Sequence, residues 1–165
     1  MALSSDSNSL LDISAIQHLP NGRVAIVYTE WNDKIVAEQI AGAERIAAQT
    51  GNTISHKIQV PGSFELPFAV KALYEATAHK ADAPQAIIVF GAVIRGGTPH
   101  FDYVCKAVTE GVLQLNLSLP IPTIFGVLTL DNEQQAWERL GGVHGHKGEE
   151  AMIAALKMIA MKQSL

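Results

Sequence analysis

The sequence predicts an α/β fold: a four-stranded parallel sheet with helices on both faces, three layers in all. Three observations carry the prediction. Apolar runs of strand length alternate with segments of helical period along most of the chain. The strongest runs are apolar at nearly every position, as expected where both faces of a sheet are covered. Each run is followed by glycine, proline or polar residues, a β-α alternation that implies parallel strands. Right-handed crossovers then bring the loops after the strands to one rim, where such folds bind ligands.

Each element has its own reason. Residues 1–20 are rich in Ser, Asn and Asp with isolated apolar positions, and read as a flexible N-terminal arm. Residues 21–165 read as a single domain. The run Arg23-Val24-Ala25-Ile26-Val27-Tyr28-Thr29 is the first strand. The polar loop Glu30-Trp31-Asn32-Asp33 follows, with Asn32 or Asp33 as helix cap. Ile35, Val36, Ile40, Ala43 and Ala47 recur at helical spacing, and Gly51-Asn52 ends that helix. Ile54 and Lys57-Ile58-Gln59-Val60 form a more mixed strand, expected nearer an edge. Pro61-Gly62-Ser63 breaks it. Leu66, Val70, Leu73 and Tyr74 mark a second helix, with Pro67 in its first turn, where the missing N–H costs nothing. Residues 86–90 are a wholly apolar third strand, followed by a glycine-rich loop over 91–100. Val104, Val108, Val112 and Leu115 mark the third helix, and Pro120 and Pro122 frame its exit. Residues 123–129 are the fourth strand. A short helix is expected over 131–140, capped by Asp131 with Gln134 three residues on. A loop over 141–148 and a last helix over 149–161, with Ile153, Leu156 and Ile159 inward, complete the chain.

Composition narrows the function. The chain has 165 residues, 48% of them hydrophobic, enough for one sizeable core. Only 17% are charged, against about 25% in an average globular domain, and the net charge is −4. A free monomer of this size needs a charged surface, so the shortfall points to surface covered by other subunits. The single Cys105 excludes an internal disulfide and a cysteine-based zinc cluster. The acidic balance without Lys/Arg runs argues against nucleic acid as a partner. No apolar run approaches the ~20 residues of a membrane span, so no membrane partner is expected. The N-terminus lacks the positive charge and apolar stretch of a secretory signal. A cytoplasmic enzyme is the expectation, with a structural or interaction protein as the alternative.

Four segments are expected on the rim: residues 30–32, 61–65, 93–100 and 125–129. Trp31, one of few aromatics, either stacks a planar ring or packs against a helix or a neighbouring subunit. Gly96-Gly97-Thr98 leads into a helix, so it is either a tight turn or an anion cradle of backbone N–H groups, to which Arg95 adds charge. The pattern is neither a Walker loop nor a dinucleotide fingerprint, which favours an isolated phosphate over a nucleotide. Arg139 can complete such a clamp, or merely compensate a helix dipole. His100, at a helix start, suits proton transfer near neutral pH, or caps and packs. Glu65 can accept from hydroxyl groups, or is ordinary first-turn helix chemistry. Lys147 supplies a positive charge or lies on the surface. His144 and His146 have His-x-His spacing but no third ligand in view, so no metal is expected. Cys105 reads as core. Ser63 lacks the nucleophile elbow of a serine hydrolase.

Taken together these segments resemble a known family. Pro61-Gly62-Ser63-Phe64-Glu65-Leu66-Pro67 and the run from Gly91 to Val104 are similar to the two hallmark segments of lumazine synthases. Phe125-Gly126-Val127-Leu128-Thr129, Glu133-Gln134-Gln135-Ala136 with Arg139, and Lys147-Gly148 with Glu150-Ala151 resemble the family too, in order and spacing. The resemblance implies a flavodoxin-like three-layer sandwich, and it leaves open an extra N-terminal strand added to a neighbouring subunit. It implies condensation of 5-amino-6-(D-ribitylamino)uracil with 3,4-dihydroxy-2-butanone 4-phosphate, with release of phosphate and water. By the same resemblance Trp31 stacks on the pyrimidine, and the backbone at Val93 and Ile94 binds the heterocycle edge. Asn32, Gly62, Ser63 and Phe64 line that pocket, and Glu65 holds ribityl hydroxyls. Gly97, Thr98 and Arg139 hold the phosphate, His100 transfers protons, and Lys147 sits near the ribityl and phosphate ends. Phe125 comes from a neighbouring subunit. No metal or organic cofactor is implied. The partners implied are the two small-molecule substrates and copies of the chain, as a pentamer, a decamer or a 60-mer, with association with riboflavin synthase also open. His146 stands where the family usually has asparagine, and Met152 where a small residue is common. A flavodoxin-type FMN-binding module and a non-catalytic ribityl- or flavin-binding or capsid-like scaffold of the same fold are the alternatives. The loop after the first strand is too short and too poor in glycine for the first of these. The scaffold reading predicts loss of His100, Arg139 or the stacking ring, all of which are present.

Overall fold

A computed structural model of the chain describes Ile13, Ser14, Ile16 and residues 21–165. Four strands, β1 (Arg23–Thr29), β2 (Thr53–Val60), β3 (Ala86–Ile94) and β4 (Thr123–Leu130), form one parallel sheet in the order β2-β1-β3-β4. Helices α1 (Asp33–Thr50), α2 (Leu66–Thr77) and α3 (His100–Ser118) connect them in turn. After β4 come a short α4 (Gln134–Glu138), an antiparallel hairpin of β5 (Leu140–Gly142) and β6 (Gly145–His146), and α5 (Lys147–Gln163).

Alternation along the strands builds two cores. Val24, Ile26, Ala86, Ile88 and Phe90 face α1 and α5, where Val36, Ala43, Met152 and Leu156 meet them. Ala25, Val27, Ile87 and Val89 face the other way, onto Val70 of α2 and Val108 and Val112 of α3. Side chains as completely buried as Phe90 and Ile88 contribute about 1.5–3 kcal/mol each relative to exposure. The expected three-layer α/β sandwich is the observed one, and β2 is an edge strand as expected. Ile16 is fully buried in the α1–α5 core, and Ile13 packs beside it. Apart from Ser14, the rest of the N-terminal arm, and with it the extra strand that the resemblance left open, lies outside the described residues.

Several local expectations are corrected. The third strand does not stop at Phe90: it runs to Ile94 because β4 pairs with it to the end, Ile94 opposite Leu130. Asn32 does not cap α1 with its side chain. It adopts a left-handed backbone (φ 60°) and sends its amide across to β3. The helix after β4 spans only 134–138. Asp131 does not cap it: the N-cap position is Glu133, which makes no side-chain cap bond, and the turn before it is held by Asn132 Oδ1 accepting the Gln135 N–H (3.1 Å) and Gln135 Oε1 accepting the Asp131 N–H (2.9 Å). The expected loop over 141–148 contains the β5–β6 hairpin, and the last helix begins at Lys147 because His146 caps it.

Candidate active site

The site is built from the carboxyl ends of β1, β2 and β3. β1 ends at Thr29, and the chain turns at once into α1, so Trp31 has no core to enter and stays 73% exposed. Thr29 Oγ1 donates to the Trp31 carbonyl (3.2 Å) and stiffens this turn. The Asn32 amide donates to the Ala92 carbonyl (2.7 Å), tying the turn to β3.

β3 outruns β1 here. The β1–β3 ladder ends at Tyr28–Phe90, whereas the β3–β4 ladder continues to Ile94. Residues of one strand turn their backbone groups alternately to its two sides. Ile87 N–H donates to Pro122 and Arg95 N–H to Leu130, so odd-numbered residues here, Val93 among them, face β4. Ala92 and Ile94 therefore face the side where β1 has ended. The Asn32 amide takes the Ala92 carbonyl, and the neighbouring backbone groups line a notch beside Trp31 without a strand to pair with. Of the two backbone positions singled out from sequence, Ile94 faces this notch and Val93 does not.

The segment after β2 closes the notch from the far side. Ser63 is buried, its hydroxyl over Gly91 of β3, where a Cβ would come within 2.9 Å of Oγ. Gly62 sits between Trp31 and Glu65: a Cβ there would be 3.6 Å from Trp31 Cδ1 and 3.1 Å from Glu65 Oε2. An indole edge and a carboxylate thus flank one point. Phe64 next to them is exposed. Trp31, Asn32, Gly62, Ser63, Glu65 and Ile94 come together as one rim.

The phosphate candidates are placed differently. Gly97 and Thr98 lie in an exposed loop, with open space at Gly97 where a Cβ would stand. His100 is the exposed first residue of α3. Arg95 is not a spare cation: it pairs with Asp102 and Asp131, each at 3.2 Å, and covers the Phe101 ring at 4.1 Å. Arg139 follows α4, and its guanidinium donates to the Gln135 carbonyl (3.0 Å) beside Glu138. The Lys147 N–H donates to the Arg139 carbonyl (2.8 Å), and its ammonium lies between both Glu150 oxygens at 2.7 and 2.9 Å. Arg139 and Lys147 therefore form a second group. Among the described residues, none of their hydrogen bonds or ion pairs reaches Trp31, Thr98 or His100.

Phe125 is not on the rim as expected. It is the third residue of β4, opposite Val89, 41% exposed at the sheet edge. At about 3.3 Å per residue it lies roughly 16 Å before the carboxyl end of its strand. Cys105 is only partly buried, in contrast to the core position expected. Burial and the nearby Asp102 hold its thiol above the ordinary range.

Two polar features escaped the sequence reading. Gln39, fully buried on α1, donates to the Gly126 carbonyl (2.6 Å), while its Oε1 has no hydrogen-bond partner among the described residues. His146 joins Glu38, Arg45 and Glu149 in a chain of hydrogen bonds and ion pairs. A polar residue on the apolar stripe of the first helix was a usable signal for Gln39. The partners of His146 left none.

Comparison with known proteins adds to this geometry. A family model described as 6,7-dimethyl-8-ribityllumazine synthase matches residues 21–163. The chain is similar to the protein named 6,7-dimethyl-8-ribityllumazine synthase of Parabacteroides distasonis, 41% identical over 163 residues, covering 96% of this chain and 98% of that one. It is 44% identical over 143 residues to the protein of that name from Porphyromonas gingivalis, covering 86% of each. It is 40% identical over 153 residues to that of Streptomyces coelicolor, covering 92% and 91%.

Proposed function

Since the chain belongs to the 6,7-dimethyl-8-ribityllumazine synthase family, we propose that the rim formed by Trp31, Asn32, Gly62, Ser63, Glu65 and Ile94, with the exposed Phe64 beside it, is where its pyrimidine substrate binds. The enzyme condenses 5-amino-6-(D-ribitylamino)uracil with 3,4-dihydroxy-2-butanone 4-phosphate. It forms 6,7-dimethyl-8-ribityllumazine and releases phosphate and water, in riboflavin biosynthesis. The observation that carries the site reading is the notch where β3 outruns β1, with an indole on one side and a carboxylate beyond it.

Each residue type suits a task. The exposed Trp31 ring stacks on the flat pyrimidine. The Ile94 backbone meets its polar edge, with Val93 beside it, and Glu65 accepts hydrogen bonds from ribityl hydroxyls. Gly97 and Thr98 supply backbone donors at the N-terminus of α3 to the phosphate. Arg139 adds a planar charged fork, and Lys147 a point charge. The amine attacks the ketone to give a carbinolamine, which loses water to an imine. Phosphate leaves as the adduct enolises. The ribitylamino nitrogen then closes on the second carbonyl, and a second water departs. His100 accepts and returns protons in these steps. Positioning of two bound reactants supplies several kcal/mol more.

The site is completed by a second copy of the chain. Phe125, Arg139 and Lys147 belong to the half contributed by a neighbour: Phe125 stands exposed early in β4, away from the carboxyl end of the strand, and the hydrogen bonds of Arg139 and Lys147 tie them to each other and to Gln135 and Glu150 rather than to the rim. The outer side of α3 supports assembly: only Val108, Val112 and Leu115 of its residues are buried, while Tyr103, Leu113 and Leu117 are exposed. A closed ring of five is the expected unit, alone, paired or built into a 60-mer, and riboflavin synthase is a candidate associate. Residues 21–165 act as the folded unit, in the cytoplasm, with Ile13 and Ile16 of the 1–20 segment docked into its α1–α5 core. No helix among the described residues is long and apolar enough to cross a membrane.

The purified protein mixed with both substrates is expected to develop lumazine absorbance with one phosphate released per turnover. No product at high enzyme concentration would sink the reading. Arg139→Ala is expected to raise KM for the butanone phosphate about 10- to 100-fold, the worth of a charged hydrogen bond, and to leave KM for the pyrimidine within about twofold.

A further inference from the structure

His146 is the last residue of the β5–β6 hairpin and stands directly before α5. Its ring is buried, 8% exposed, and both nitrogens are engaged. Nδ1 accepts the Glu149 backbone N–H at 3.3 Å, capping α5. With Nδ1 an acceptor, the ring proton belongs on Nε2, which donates to Glu38 Oε1 at 3.1 Å. Glu38 is held in turn by Arg45 at 3.2 Å, and Arg45 Nε reaches Glu149 at 3.0 Å. The circuit therefore closes from α1 through the hairpin to the first turn of α5. Gly42 leaves the room: a Cβ there would run into the imidazole. The next residue, Lys147, donates its N–H to the Arg139 carbonyl at 2.8 Å, and His146 itself pairs with Leu140, the residue after Arg139.

From this geometry we propose that His146 is a positioning residue for the phosphate half of the site. It acts as a cap and bolt that sets Arg139 and Lys147, through Glu38 on a different helix. The imidazole touches neither substrate. Its two hydrogen bonds fix where the hairpin ends and α5 begins. That junction sets the backbone from which both cationic side chains extend. The proposal rests on the assignment of Arg139 and Lys147 to the phosphate-bearing substrate.

The test is steady-state kinetics with each substrate varied in turn, together with thermal melts. His146→Ala is expected to raise KM for the butanone phosphate about fivefold, the equivalent of a lost helix cap, with KM for the pyrimidine within about twofold. His146→Asn keeps a side-chain acceptor for the Glu149 N–H, and is expected to recover most of the loss. Glu38→Ala leaves the cap and removes the bolt. It is expected to raise the same KM about threefold, and it serves if His146→Ala does not fold. An unchanged KM for the butanone phosphate overturns the proposal. So does an equal rise in both KM values tracking a lower melting temperature, and so does failure of asparagine to rescue. Arg139→Ala, measured alongside, separates the two readings. If it leaves that KM unchanged, the phosphate assignment falls and the proposal with it. If it raises that KM and neither His146→Ala nor Glu38→Ala does, only the role of His146 falls.

Discussion

His100 stands exposed at the first position of α3, and among the described residues its ring makes no hydrogen bond or ion pair. His100→Ala is therefore expected to lower kcat by about 10²–10⁴, the usual worth of a general acid–base group, while the melting curve stays where it was. A melting temperature that falls with the activity would assign His100 to the fold instead. Trp31 is open on the rim, with its turn held by Thr29 and Asn32 rather than by packing of its own ring. Trp31→Ala is expected to weaken the pyrimidine about three- to tenfold, as for a lost aromatic stack, and Trp31→Phe to retain most of the affinity. Binding of a ribityl-pyrimidine analogue by titration calorimetry measures both. At this scale Trp31, Ser63 and Glu65 were legible because each follows a strand within a few residues. Arg95 was not. Its pairing is not local: its two carboxylates, Asp102 and Asp131, come from different segments.

Among the elements, the junction of α1 with α5 is the one that carries a pH dependence. The hydrogen bond from His146 holds the Glu38 carboxyl below its ordinary 4.5; burial opposes this, and Arg45 adds to it. A carboxyl depressed in the folded state adds stability that is present above its unfolded value. That stability is lost as pH falls through the folded one. Urea midpoints are accordingly expected to drop as pH falls below about 4.5, and Glu38→Gln to flatten that part of the profile. An equally steep acid limb in Glu38→Gln would assign it to other carboxylates. Helix existence was legible from period. The ends were less so, because they turn on single contacts: α4 starts at Gln134 with Glu133, not Asp131, at its cap position, and His146 moves the start of α5 to Lys147. The hairpin over 140–146 was read as a loop because its strands are too short to show a period.

For the whole molecule the testable statement is that one site draws on two chains. Coexpressed His100→Ala and Arg139→Ala chains are each defective alone. In mixed assemblies about a quarter of the junctions join an intact His100 half to an intact Arg139 half, and activity near that share of wild type is expected. If both residues serve the same chain's site, mixing restores nothing. Light scattering on the same samples reads the number of subunits. A ring of subunits would account for the low charge at this scale: α3 buries only Val108, Val112 and Leu115 within its own chain and leaves the rest of its surface for the proposed neighbours.

By itself the sequence determined the order of the four sheet strands and the helices between them, the two-faced burial of the sheet, and the loops after the first three strands that form the rim. These follow from periodicity and from turn residues a few positions apart, where cause and effect are local. The tertiary structure alone decided which polar side chains are free to act. Asn32 binds Ala92 across 60 positions, Gln39 binds Gly126 across 87, and His146 binds Glu38 across 108. No period in a chain records such pairs. They exist only once the sheet has stacked its strands and laid α1 against α5, so the role of each side chain is set by packing rather than by its neighbours in sequence.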